Sequence, residues 1–326
     1  MLLGNALKVG SKTLKNRIVV PPMADFGATG ADGLVNVRHL RHYGAFAIGG
    51  AGLVIIEACT VSPFHESRNT IGLYDDKSIP GMTLLAKASR QNGALAIVQL
   101  LNGGVGCIPE HSINDISLSA LRGYGREFLD AARRCRQAGF DGVELHAAHG
   151  YFLNQMMERN NRTDEYGGTL ENRLRLLTEV IAEIKAECGG DFLVAVRFGA
   201  SDMSELSACA KSIEASGGDL LDVSSGFGRY APPADFPYDG KIYAASVVKR
   251  NAGIPVICVG NIRTGNQAED LLKKGYADLV AVGRGHLCDS AWAAKALGGQ
   301  TPTPCLGCRH CLWYVDGHKC PARRGK

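Results

Sequence analysis

The 326-residue sequence predicts an α/β fold in which eight parallel strands close into a TIM barrel, and three observations support this prediction. Eight short apolar runs of strand length recur along the chain, and helical patterns separate them. The runs are largely continuous rather than alternating, as in parallel strands that are buried on both faces. The length suits a complete barrel, which needs about 250 residues. A doubly wound open sheet is the alternative, but no G-x-G-x-x-G sequence follows the first run.

Taken in order, the chain begins with a predicted hairpin at residues 7–14, whose turn falls at Gly10 and Ser11. This hairpin suits a lid over the N-terminal face of the barrel. The eight predicted strands are residues 17–21, 53–57, 95–100, 142–145, 192–197, 220–224, 255–259 and 279–282. The predicted helices lie near residues 38–48, 80–91, 120–138, 170–187, 204–215, 243–250 and 266–273. We expect residues 1–300 to form the barrel and residues 301–326 to form a short cysteine-rich extension.

Composition is ordinary for a soluble globular enzyme, with 45% hydrophobic and 21% charged residues. A net charge of +4 is too small to indicate a nucleic-acid partner. The longest uncharged apolar run, residues 44–56, is too short to span a bilayer, and we see no signal peptide. We therefore expect a cytoplasmic protein with no membrane partner. Most of the 11 cysteines are scattered and four crowd the C-terminus, which favours reduced thiols and a terminal metal site over a disulfide framework.

Active sites of such barrels lie at the carboxyl ends of the strands, and polar or glycine residues occur at nearly every one of these positions. Glycine lets backbone N–H groups approach an anion and arginine can bind its oxygens in a fork, so the ends of the last two strands suit a phosphate. The candidates for binding a cofactor are Pro22, Met23, Ala24, Ala58, Gln99, Arg197, Ser225, Gly226, Gly260, Asn261, Gly283 and Arg284.

The end of the fourth predicted strand carries the most distinctive residues. His146, His149 and Tyr151 place two imidazoles and a phenol within six residues, and such groups can bind a ligand oxygen and donate a proton. An isolated H-x-x-H sequence is more often a pair of satisfied core histidines. Here a long polar and aromatic loop follows, and residues 169–173 then start a helix.

This segment resembles the signature of the old yellow enzyme family, which comprises FMN-dependent ene-reductases on a (β/α)8 barrel. The matching residues are His146-Ala-Ala-His149-Gly-Tyr151, Asn161-Arg162-Thr163-Asp164-Glu165-Tyr166-Gly167-Gly168 and Glu171-Asn172-Arg173. The resemblance implies that Gly260, Gly283 and Arg284 bind the FMN phosphate and that Gln99 and Arg197 bind the flavin ring. It implies that His146 and His149 bind the carbonyl oxygen of an enone or enoyl substrate, and that Tyr151 protonates its α-carbon. NAD(P)H is the expected electron donor.

Three features depart from that family pattern. Relatives usually carry Thr or Cys at the position of Ala24, so we expect an altered flavin potential. Phe26 falls where one subgroup has a substrate-contacting Tyr, and we retain it as a substrate-binding candidate. The segment between Gln99 and Leu121 is short, which predicts a more open pocket or one that a neighbouring subunit of a homo-oligomer completes.

The C-terminal cysteines Cys305, Cys308, Cys311 and Cys320 have the spacing C-x2-C-x2-C-x8-C. The first three match the ferredoxin-type run, and the last precedes a proline as in ferredoxins. The run also resembles the cluster segment after the barrel in 2,4-dienoyl-CoA reductase and its relatives, where the gaps are longer. A [4Fe–4S] cluster, a zinc ion (with His310 or His318 as substitute ligands) and no bound metal all stay open.

Two classes of function follow. The first is an FMN ene-reductase acting on an α,β-unsaturated carbonyl compound. The second is an electron-transfer flavoprotein subunit, in which the cysteine tail would exchange electrons with a donor protein. An RNA-binding flavin barrel is a third alternative, which the near-neutral charge balance disfavours.

Overall fold

Eight parallel strands form a closed barrel, as predicted. The computed structural model describes residues 1–25, 28–30, 32–63, 70–314 and 316–323. A hairpin of β1 (Leu7–Val9) and β2 (Lys12–Leu14) precedes the barrel. The barrel strands, each paired with its neighbour in chain order, are β3 (Ile18–Val20), β4 (Leu53–Thr60), β5 (Leu95–Leu101), β6 (Gly142–Ala147), β7 (Leu193–Phe198), β8 (Leu220–Val223), β9 (Val256–Val259) and β10 (Leu279–Ala281).

The helices surround this barrel, and side-chain caps mark several of their starts. The helices are α1 (Val37–Ile48), α2 (Ile79–Ser89), α3 (Leu118–Gln137), α4 (Phe152–Met157), α5 (Leu170–Cys188), α6 (Leu206–Ala215), α7 (Gly240–Lys249), α8 (Gly265–Lys273), α9 (Gly283–Cys288) and α10 (Trp292–Leu297). Thr169, for example, accepts a hydrogen bond from the backbone N–H of Asn172 and so starts α5. In the described part of the chain, no helix combines the length and the apolar character needed to cross a bilayer.

The lower part of the barrel interior is filled by apolar side chains, and the hairpin closes it from below. Val9 and Leu14 of the hairpin pack in one cluster with interior residues such as Leu53, Leu193 and Leu220. This packing confirms the predicted lid on the N-terminal face. Since inward-pointing positions alternate along each strand, the next inward positions towards the carboxyl ends form the floor of the cavity described below.

A bulge in β4 changes which side chains face the interior. The register between β4 and β5 shifts between Ile56 and Cys59, as a β-bulge does. The carboxylate of Glu57 accepts from the backbone N–H of Asp25 at 3.1 Å and lies 3.2 Å from the hydroxyl of Tyr43 on α1. Burial raises the pKa of Glu57 to about 8. Ala58, the next residue, lines the cavity instead.

Candidate active site

A cavity of about 650 Å³ opens at the carboxyl ends of the barrel strands, within the range of typical cofactor and ligand sites. Every predicted cofactor-binding residue except Gly226 lines it, together with His146, His149 and Tyr151. Gly226 is buried nearby, where a Cβ atom would lie 3.0 Å from the backbone of Ala200. Phe26 lies outside the described residues. The structure thus brings the predicted site residues together, while their individual roles stay predictions.

One end of the cavity has the character of an anion site. Arg263 Nε and Arg284 Nη2 both donate to Asn261 Oδ1, each at 3.0 Å. Two guanidinium groups thus meet at one neutral oxygen, and within the described residues neither forms an ion pair with a carboxylate. Gly260 has φ +151°, a conformation that glycine tolerates best. This end fits a phosphate, and Arg263 is a contributor that the sequence reasoning missed although it lies two residues after Asn261.

The floor of the cavity offers groups that suit the polar edge of a planar ring. Gln99 Nε2 donates to Glu144 Oε1 at 2.8 Å, so the Gln99 carbonyl oxygen is left for a ligand. Arg197 is buried with its Nη1 atom 3.5 Å from Asp222 Oδ2, and its Nε has no acceptor among the described residues. Because Arg197 also lines the cavity, its guanidinium can donate to the carbonyl oxygens of a bound ring.

His146 and His149 meet at the side of the cavity. The His149 Nδ1 and His146 Nε2 atoms are 3.4 Å apart, and His149 Nε2 lies 2.7 Å from the hydroxyl oxygen of Ser224. Burial and the positive charges of its neighbours, among them Arg197, lower the pKa of His146 well below its usual value. The same two causes, with Lys241 as a further cation, lower the pKa of His149. Both imidazoles are therefore neutral near pH 7.

Tyr151 is placed by the turn between β6 and α4. His149 has φ +61° and Gly150 φ +80°, an uncommon backbone for a histidine. Asn154 stabilises this turn, because its Oδ1 accepts from the Gly150 N–H at 2.9 Å and its Nδ2 donates to the Gly199 carbonyl at 3.0 Å. The Tyr151 ring lies edge-to-face with His146, 4.8 Å between centroids. The phenol and the two imidazoles therefore face one small volume.

The cysteine tail packs on the mouth of the barrel. Cys305, Cys311 and Trp313 line the main cavity. The buried Trp313 stacks on His42, with 5.2 Å between centroids, and its indole N–H donates to the Ala24 carbonyl at 3.1 Å. The tail thus forms one wall of the cavity, which the sequence did not reveal.

A second, smaller cavity lies beside the first, and all four predicted metal ligands line it: Cys305, Cys308, Cys311 and Cys320. A fifth cysteine, Cys288 at the end of α9, also lines it and interacts with the thiols of Cys305 and Cys320. All 11 cysteines are free thiols. Among the described residues, no three His, Cys, Asp or Glu side chains are grouped so as to hold a single metal ion.

The fold and this cavity define a class of protein, namely a barrel enzyme that can hold a phosphorylated cofactor with a planar ring. A sequence profile of the NADH:flavin oxidoreductase / NADH oxidase family matches residues 3–122 and 115–301. An NADPH dehydrogenase of Geobacillus thermodenitrificans is 37% identical over 321 residues, which cover 90% of this chain and 93% of that relative. An NADH oxidase of Thermoanaerobacter brockii is 34% identical over 338 residues, which cover 92% of this chain and 52%, about half, of that relative.

The solved structure of the old yellow enzyme homologue from Zymomonas mobilis has the same fold. Its TM-score is 0.82 at 22% identity, and the match covers 97% of each chain. The chain therefore belongs to the NADH:flavin oxidoreductase / NADH oxidase family, that is, to the old yellow enzyme family of FMN-dependent NAD(P)H oxidoreductases. The resemblance read from His146, His149 and Tyr151 and the residues after them is confirmed at the level of the family.

Proposed function

We propose that the protein reduces the C=C bond of α,β-unsaturated carbonyl compounds at the expense of NAD(P)H. The observation that carries this proposal is the pair of neutral imidazoles, His146 and His149, beside Tyr151 and next to the flavin-sized cavity. When bound, FMN supplies the hydride for the β-carbon of the substrate from its N5 atom. The α-carbon then needs one proton, so that the C=C bond becomes a CH–CH bond.

The imidazoles are suited to bind the carbonyl oxygen rather than to donate the proton. Two neutral rings can each offer one N–H group. His149 Nδ1 and His146 Nε2 lie 3.4 Å apart, and a substrate oxygen beside this pair would replace their mutual contact and accept from both N–H groups. In this arrangement the Ser224 hydroxyl donates to His149 Nε2, which fixes the proton of that ring on Nδ1. The contact with Ser224 is compatible with this tautomer of His149, in which Nδ1 carries the proton.

Tyr151 is the proposed proton donor. Its phenol is the one hydroxyl of an aromatic side chain among the residues that line the cavity, and its ring packs against His146. A positioned acid of this kind contributes about 10²–10⁴-fold to a rate.

The phosphate and ring contacts of FMN follow from the same cavity. Arg263, Arg284 and the backbone around Gly260 would hold the phosphate, and Gln99 and Arg197 would hold the pyrimidine edge of the ring. Lys241 also lines the cavity near His149 and adds positive charge to the site. Among the described residues that line the cavity, none is a carboxylate, which suits an anionic cofactor.

The test is a pair of half-reactions under anaerobic conditions. NADPH or NADH should reduce the bound flavin, and cyclohexenone should then reoxidise it with formation of cyclohexanone. A protein whose flavin NAD(P)H reduces, but which no enone reoxidises faster than buffer does, would contradict ene-reduction. That result would favour the second function, an electron-transfer flavoprotein with a donor or acceptor protein as its partner.

We further propose that the tail binds an iron–sulfur cluster through Cys305, Cys308, Cys311 and Cys320. Cys305, Cys308 and Cys311 have the C-x2-C-x2-C spacing of the ferredoxin-type run, and all four thiols line one small cavity. A tetrahedral zinc ion bound by the same thiols is the alternative. Because Cys305 and Cys311 also line the main cavity, such a centre would lie next to the flavin. Iron, zinc and sulfide analysis of anaerobically purified protein tests this proposal.

The eleven free thiols are consistent with a reducing compartment, and we propose the cytoplasm as the location. We also propose that a second copy of the chain in a homo-oligomer completes the cavity, because the segment between Gln99 and Leu121 is short. Analytical ultracentrifugation of the purified protein tests that arrangement.

A further inference from the structure

Three ionisable residues and one amide lie inside the barrel, at the floor of the cavity and just below it, where TIM barrels usually carry bulky apolar side chains. Gln99 on β5 pairs in register with Glu144 on β6, and Arg197 on β7 pairs in register with Asp222 on β8. Glu144 and Asp222 are completely buried. We call these four residues the polar layer.

The polar layer satisfies its own hydrogen-bonding groups only in part. Besides the contact from Gln99 to Glu144 and the ion pair of Arg197 with Asp222, its groups lack partners. In the described part of the chain, Glu144 Oε2, both Asp222 oxygens and Arg197 Nε have no hydrogen-bond partner. Unsatisfied polar groups at this depth destabilise a fold, so packing alone does not account for two carboxyl groups here.

The charge of the layer is set by burial and by Arg197. Burial raises the pKa of Glu144 well above its usual value, the negative charge of Asp222 raises it further, and Arg197 opposes both effects. Burial also raises the pKa of Asp222, and Arg197 opposes this. Two adjacent buried carboxyls do not both ionise readily. We assign the negative charge to Asp222, which faces the guanidinium, and a neutral carboxyl to Glu144.

We propose that Asp222 is a positioning residue that keeps the reduction potential of the bound flavin low, because it offsets part of the positive charge of Arg197 from below the ring. Positive charge near the ring stabilises reduced flavin, so a counter-charge behind Arg197 acts in the opposite sense. Glu144 is a neutral positioning residue that orients the Gln99 amide towards the cofactor. The inference concerns FMN and does not depend on which substrate accepts the electrons.

The test compares midpoint potentials of purified flavoprotein, measured by dye-equilibrated reduction without enone. Asp222→Asn removes the charge and keeps the shape. We expect the flavin equilibrium to shift about tenfold towards the reduced form, which is about 30 mV for a two-electron couple. Asp222→Ser should shift it in the same direction. A matched control is Asp141→Asn, since Asp141 is a buried aspartate that pairs with Arg90 and Lys12 near the start of β6. This control should leave the potential unchanged.

The Glu144→Gln variant distinguishes the role of Glu144 from that of Asp222. A glutamine keeps the acceptor for Gln99 and mimics a neutral carboxyl, so the potential should equal that of the parent. Glu144→Leu removes the anchor of Gln99 and should weaken FMN binding about tenfold, as measured by fluorescence titration of apoprotein.

Each other result decides against the proposal. An unchanged or lower potential in Asp222→Asn would show that its charge does not act on the flavin. Loss of FMN from both Asp222 variants would assign that residue to folding or binding instead. A raised potential in Glu144→Gln would place the negative charge on Glu144. Colourless parent protein that FMN does not reconstitute would overturn both this inference and the proposed function, whereas the other results bear on this inference alone.

Discussion

Replacing Tyr151 with Phe removes one hydroxyl from the cavity and leaves its packing intact. The ring contact with His146, 4.8 Å between centroids, does not involve the hydroxyl, so the imidazole should keep its position. No side-chain hydrogen bond of the Tyr151 hydroxyl is seen within the described residues. The variant should therefore fold, bind FMN and bind phenolic ligands nearly as well as the parent.

The size of the effect depends on which other groups can supply a proton. Burial and nearby positive charge lower the pKa of both His146 and His149, so neither imidazole carries a spare proton at neutral pH. Loss of the phenol should thus remove most of the contribution of a positioned acid, about 10²–10⁴-fold. Lys241 also lines the cavity, so this side chain or water would supply the proton at the residual rate.

Stopped-flow measurement of the two half-reactions isolates this step. Flavin reduction by NADPH should proceed at the parent rate in Tyr151→Phe, and only reoxidation by the enone should slow. Tyr124→Phe is the matched control, because the Tyr124 hydroxyl donates to Glu110 at 2.8 Å and does not line the cavity. Reoxidation of Tyr151→Phe by enone at the parent rate would refute the assigned role, and the proton would then come from another group or from water.

Three further predictions concern the other parts of the site. Arg284→Ala should weaken FMN binding by about 1.5–3 kcal/mol, the scale of a hydrogen bond to a charged group. Arg263→Ala should also weaken FMN binding. Equal FMN affinity of the parent and both variants, measured by fluorescence titration, would contradict the phosphate site. Because burial and cations lower the pKa of His149, its neutral form persists as the pH falls, so the affinity for a neutral enone should not drop between pH 8 and pH 5; a titration with a midpoint near pH 6.5 would contradict this. The Cys308→Ser variant should lose most of the bound iron. Cys107 lies outside the thiol cavity, so the Cys107→Ser control should keep its iron. Equal iron content in the two variants would exclude Cys308 as a ligand.

The strands could be predicted from sequence because their signal is local. Each predicted strand overlaps an observed one, since continuous apolar runs identify strands that are buried on both faces. The helices α4, α9 and α10 were missed, and each has six residues, too few for a helical period to show. All three lie in the segments that follow strand ends lining the cavity, where short loops and short helices succeed each other within a few residues.

The cavity-lining residues at strand ends were predictable for a topological reason, because parallel barrel strands bring all their carboxyl ends to one face. Arg263 and Cys288 could not be predicted as site residues. Their positions depend on the conformation of the segments after β9 and β10. Glu144 and Asp222 do carry a signal in the sequence. Each is a carboxylate inside a predicted strand whose neighbours are mostly apolar, and a charge at such a position is rarely buried unless it is paired or has a function.

The tail after residue 300, which we expected to form a separate extension, contacts the barrel near Ala24. Trp313 donates to the Ala24 carbonyl, and its ring packs against Gly317, where a Cβ atom would lie 2.8 Å from the indole. Ala24 also lines the main cavity. One short loop therefore contacts both the cofactor site and the tail that carries the cysteines. If the proposed metal centre forms, its gain or loss would act on a wall of the main cavity, because Cys305, Cys311 and Trp313 of the tail line that cavity.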